Sequence, residues 1–149
     1  IMKKWHIKNE EEMIALGRQL GQWLDARDLV LLEGDLGAGK TTLTKGIGQG
    51  LGVTKVINSP TFTILKVYQG RVPLYHMDVY RLEGMHQELG FEEYYDGDGV
   101  CVVEWATFVA EELPLQRLEI TITHETNGRL VQMTAKGEHY EEIIEKVKM

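Results

Sequence analysis

The sequence predicts a single α/β domain over residues 1–149, a three-layer sandwich around a mixed, mostly parallel central sheet. Three observations carry this expectation. Leu29-Val30-Leu31-Leu32 is a continuous apolar run of the kind a strand buried on both faces needs, and Leu43, Ile47 and Leu51 recur at helical spacing after a glycine-rich interval. Val100-Cys101-Val102-Val103 is a second such run. Leu118 to Thr123 alternates apolar with polar residues, and Asn127-Gly128 turns it into a returning strand from Arg129 to Thr134.

Taken in order, Trp5-His6-Ile7 reads as a short strand. Asn9 with Glu12 three residues later has the pattern of a helix start. Met13, Leu16, Leu20, Trp23 and Leu24 then follow at helical spacing and are all expected to be buried. After the central strand and its helix, Gly52 suits a left-handed helix cap. Thr63 to Tyr68 and Val72 to Tyr80 read as strands that could pair as a hairpin through Gly70. Within the second of these, His76, Asp78 and Tyr80 share one face, which suggests a wet, functional surface or else an edge strand facing solvent. Gly84 to Gly99 is acidic and aromatic and reads as short helices and loops. Tyr140, Ile143, Ile144 and Val147 mark a final amphipathic helix.

Composition narrows the function. Hydrophobic residues are 43% and charged residues 26%, as in ordinary globular domains. The net charge of −7 argues against a chain that grips nucleic acid by its phosphates alone, so any RNA would need a partner's basic surface. One cysteine, Cys101, allows no internal disulfide, and no apolar run approaches the roughly 20 residues of a membrane helix; a cytoplasmic location is expected.

The interval between strand and helix carries the chemistry. Gly34-Asp35-Leu36-Gly37-Ala38-Gly39-Lys40-Thr41 fits G-x-x-x-x-G-K-[ST], the phosphate-binding loop of P-loop nucleoside triphosphatases. Its glycines let successive backbone N–H groups turn towards a polyphosphate, and the helix behind adds its positive end. Lys40 is expected to reach the β- and γ-phosphates, and the Thr41 hydroxyl to ligate Mg²⁺. Asp35, Leu36, Gly37, Ala38, Gly39 and Thr42 complete the nucleotide-binding set. Glu104 stands at the carboxyl end of a buried strand, the place for a metal-binding carboxylate, and Asp78 is the second candidate for metal binding or water activation. Thr61, after Pro60, could sense the γ-phosphate or else be a turn residue capping a strand.

The loop, Ser59-Pro60-Thr61-Phe62, the H-x-D-x-Y-R series of His76, Asp78, Tyr80 and Arg81, and the Glu104-Trp105 pair occur together in this order. The combination resembles the bacterial TsaE family. The resemblance implies a P-loop ATPase that uses ATP and Mg²⁺ and works with the TsaB and TsaD proteins in forming threonylcarbamoyladenosine next to the anticodon of tRNA, touching tRNA only through that complex. It further implies catalytic roles for Lys40, Asp78, Glu104 and Thr61, metal contacts from Thr41, Glu104 and Asp78, and a place for Arg129 near the nucleotide base. Two positions depart from the family pattern: Met13 replaces a frequent threonine, and Ala106 a frequent proline. Arg81 in cis or a partner could supply an arginine finger, and slow hydrolysis alone with faster turnover in the complex is expected. A GTPase-like switch and a small-molecule kinase are the alternatives; the N/T-K-x-D guanine signature is missing, and the arginines are dispersed.

Overall fold

A computed structural model describes residues 1–35, 37–58, 65–79, 92–104 and 113–149. Its elements are β1 (Met2–Ile7), α1 (Glu10–Trp23), β2 (Leu29–Gly34), α2 (Lys40–Gly50), β3 (Leu65–Tyr68), β4 (Leu74–Asp78), α3 (Glu92–Tyr95), β5 (Val100–Glu104), β6 (Arg117–Glu125), β7 (Gly128–Lys136) and α4 (Glu138–Lys146). The strands form one sheet in the order β1-β7-β6-β2-β5-β4-β3. Its centre, β6-β2-β5-β4, is parallel, and antiparallel pairings flank it on both sides. Five strands run in one direction, as the expected mixed, mostly parallel sheet requires.

The apolar periodicities explain the layers. Val30 and Leu32 of β2 face a core shared with Leu16, Leu20, Leu43, Ile47, Tyr140 and Ile144, so α1, α2 and α4 cover one face. Leu29 and Leu31 point the other way, with Met77, Cys101 and Val103, and Tyr94 and Tyr95 of α3 pack against them. Burial alone raises the Cys101 thiol to about 12. Local signals hold too. Asn9 caps α1, its side chain accepting from the Glu12 N–H at 2.9 Å, while Glu12 accepts from the Lys8 N–H. Gly52 takes φ +83° just past α2.

One member of the helical stripe departs from expectation. Met13, Leu16, Leu20 and Leu24 are buried, but Trp23 is 42% exposed and lies under the Lys146 ammonium, 4.9 Å from the ring centroid. A wide aromatic at the rim of a stripe can shield its face with a cation instead of a core.

Helices α1 and α2 meet through glycines. A Cβ on Gly17 would fall 2.9 Å from the Gly46 Cα and one on Gly46 would fall 2.9 Å from the Gly17 Cα, while Gly21 and Gly50 face each other one turn on. Backbone therefore packs on backbone, closer than side chains would permit.

At the amino-terminal end of β2, opposite the loop, Asp28 is 4% exposed and accepts from the Asp25 N–H and from His139 Nε2, both at 2.7 Å. Desolvation raises its pKa above 3.8, against the lowering effect of those two bonds. The folded chain thus holds this proton to higher pH than the unfolded chain. The contribution of Asp28 to stability falls as pH climbs from 3.8 through the raised value. Urea unfolding between pH 3.5 and about 5.5, below the range where a histidine ordinarily titrates, should show Asp28→Asn gaining on the wild type as pH rises. A gap moving the other way would mean that the hydrogen bonds outweigh burial.

Candidate functional site

Strand β2 ends at Gly34, and the loop that follows turns through two left-handed positions, Gly37 at φ +78° and Gly39 at φ +113°. Side chains with a Cβ rarely adopt either value, which is why glycine stands at both. The Ala38 N–H donates to the Asp35 carbonyl at 3.0 Å. Among the described residues no side chain caps α2 at Gly39, so its first turn, with Thr41 and Thr42, presents backbone donors and the positive dipole end to the hollow of the loop. Met13 packs against this turn, with Cε 3.1 Å from where a Gly39 Cβ would lie. Met13 therefore puts an apolar prop beneath the loop.

Lys40 opens α2 and is only 7% exposed. Desolvation lowers its pKa below 10.5, and the fields of Glu104, Asp78, Glu33 and Asp35, in that order, push it back up. The carboxylates come from three neighbouring strand ends. Glu33 lies near the end of β2, with Asp35 just beyond it, while Asp78 and Glu104 end β4 and β5 and are register partners. Parallel register brings the predicted Lys40, Asp78, Glu104 and Asp35 together at the carboxyl edge of the sheet, where ligands of open α/β sheets bind.

His76, which the sequence places on a functional or edge face without a role in the site, belongs to this cluster. It is fully buried, and its Nε2 lies 2.5 Å from Glu104 Oε2. With the carboxylate ionised, only Nε2–H can donate. Among the described residues Nδ1 has no hydrogen-bond partner. The face of β4 that carries His76 and Asp78 is thus no wet surface at His76. Nor is β4 an edge strand, being paired with both β3 and β5. Alternation identified the face correctly; what covers it is a property of the packing.

Arg129, on β7, lies across the loop. Its Nε donates to the Ala38 carbonyl at 3.0 Å, Nη2 to the Gly37 carbonyl at 3.4 Å, and Nη1 to the Gly128 carbonyl at 2.9 Å. Beside it, a cavity of about 480 Å³ opens between the β1–α1 junction and the β6–β7 turn, lined by residues such as Ile7, Lys8, Thr126 and Asn127. Leu36, Thr61, Arg81, Trp105 and Ala106 lie outside the described residues.

These features define a mixed α/β protein whose central strand leads through a doubly left-handed glycine loop into a helix that opens on a buried lysine. The comparisons narrow the class. The family model for "Threonylcarbamoyl adenosine biosynthesis protein TsaE" matches residues 7–131. This chain belongs to the TsaE family. It is 49% identical to the tRNA threonylcarbamoyladenosine biosynthesis protein TsaE of Bacillus subtilis over 146 residues, covering 97% of this chain and 92% of that one. The protein of the same name in Treponema pallidum is 45% identical over 118 residues, with 78% and 84% covered. The crystal structure of Bacillus subtilis YdiB superposes with a TM-score of 0.87 at 44% identity, covering 99% of this chain and 94% of that one.

Proposed function

We propose that this chain binds and slowly hydrolyses Mg·ATP in the service of threonylcarbamoyladenosine formation on tRNA, working with TsaB and TsaD. One observation carries the reading: Lys40 sits at the mouth of the glycine loop with Glu104 and Asp78 across from it on adjacent strand ends. A lysine there suits the β- and γ-phosphate oxygens, and loop amides suit the rest of the triphosphate.

The donor set also suits magnesium. Thr41, Asp78 and Glu104 offer hard oxygens, and magnesium commonly takes one or two carboxylates together with phosphate oxygens. Among the described residues no three His, Cys, Asp or Glu side chains form a cage of their own. When bound, the ion would neutralise charge on the phosphates. Four carboxylates around one ammonium leave the region net negative, so it favours a triphosphate that arrives with its cation over a bare one.

His76 holds one oxygen of Glu104 and thereby fixes the direction of the other. Among the described residues, Arg18 is committed to Gln49, Arg71 to the carbonyls of Gly21 and Leu24, and Arg129 to the loop. A finger supplied by a partner would raise the rate by about 10³ to 10⁵, which supports slow turnover alone and faster turnover in the complex.

ATP turnover, measured for the chain alone and then with TsaB, TsaD and tRNA, tests the proposal. Slow hydrolysis alone and faster hydrolysis in the complex are expected, with GTP a poor competitor. Equal rates in both settings would remove the partner dependence, and calorimetry showing no heat with Mg·ATP would remove the activity. No helix among the described residues is long and apolar enough to cross a membrane.

A further inference from the structure

We propose that Arg129 is a positioning residue that sets the loop's peptide planes and so acts on the triphosphate through the backbone rather than on the base. The inference rests on the Mg·ATP reading above and concerns how that site is built.

In a trans peptide the carbonyl and the following N–H point in opposite directions. Arg129 Nε holds the Ala38 carbonyl on the β7 side of the loop, so the Gly39 N–H is turned to the other side, towards the hollow in front of Lys40. Nη2 holds the Gly37 carbonyl in the same way, which directs the Ala38 N–H to the Asp35 carbonyl that it meets at 3.0 Å. Two successive peptide planes are thereby fixed by one side chain.

The planes need fixing. Gly37 and Gly39 flank Ala38, and glycine populates many backbone states, so a loop free to rotate there would lose entropy on closing around an anion. A rigid guanidinium with forked donors can hold two carbonyls at once, and a lysine ammonium on a flexible stem cannot reproduce that geometry. Arg129 is itself well anchored. It follows the β6–β7 turn, stands in register with Ile7 and His124 on the flanking strands, and makes its third bond to Gly128.

Calorimetry with two ligands separates this role from a contact with the base. Mg·ATP and Mg·tripolyphosphate share the phosphates, and only the first carries adenine. Arg129→Gln and Arg129→Lys are expected to weaken both ligands about tenfold or more and by similar factors. Both variants should keep near wild-type thermal unfolding, and amide exchange at Gly39 in the nucleotide-free protein should speed up. A loss confined to Mg·ATP would place Arg129 on the base and overturn the proposal. Unchanged binding of both ligands would overturn it as well and leave the ATPase reading intact, whereas a wild-type chain that binds neither ligand would overturn the two together.

Discussion

Lys40→Ala is expected to lower ATP turnover by about 10²- to 10³-fold, the usual effect of deleting one preorganised charge donor from a reacting centre. Phosphoryl transfer involves little covalent participation by the protein, so under the proposed function charge placed on the β- and γ-phosphates is most of what the site would supply. Lys40 is well suited to supply it. Burial strips water from its ammonium, and the carboxylates that keep it charged are the same ones that would hold the cation. The variant leaves Glu104 and Asp78 facing each other without that counter-charge, so nucleotide affinity should fall together with rate. Single-turnover hydrolysis and calorimetry measure the two separately, with urea unfolding as the check on folding. Retention of near wild-type turnover would remove Lys40 from the chemistry.

The second large effect is structural. Gly46→Val should destabilise the chain by about 3 kcal/mol or more, and Gly46→Ala by about 1–3 kcal/mol, the range for forcing extra methylenes into a packed interior. Helix propensity acts in the opposite sense, favouring alanine over glycine by about 1 kcal/mol. Packing should win because the added Cβ meets backbone, the Ile14 carbonyl and the Gly17 Cα, which no side-chain rotation can clear. The helices must separate, and α2 carries Lys40 at its first position, so nucleotide affinity should fall in step. Urea midpoints decide the sign. A Gly46→Ala chain more stable than wild type would show that the two helices can part without loss.

What the sequence made legible was local. The Asn9 and Glu12 cap, the loop glycines, the left-handed Gly52 and the buried run ending at Glu104 each follow from interactions within a few residues, and each stands in the structure as expected. The contacts that complete the site are long-range. Arg129 and Ala38 are 91 positions apart, and His76 and Glu104 28 apart. Periodicity assigns His76 to a face without saying what covers that face. The paired glycines of α1 and α2 read from sequence only as weak helix formers, because their value lies in a neighbouring backbone that one-dimensional spacing does not reveal. Trp23 shows the converse, a residue with the right period whose partner is a lysine at the far end of the chain.

Among the described residues, β1 and β3 are the outermost strands of the sheet. An open strand margin is a template onto which another molecule can add, and lysine is a common deterrent, since docking would strip water from its ammonium. Lys3 and Lys4 stand on one margin and Lys66 on the other. These lysines thus guard both borders against end-to-end stacking into fibrils.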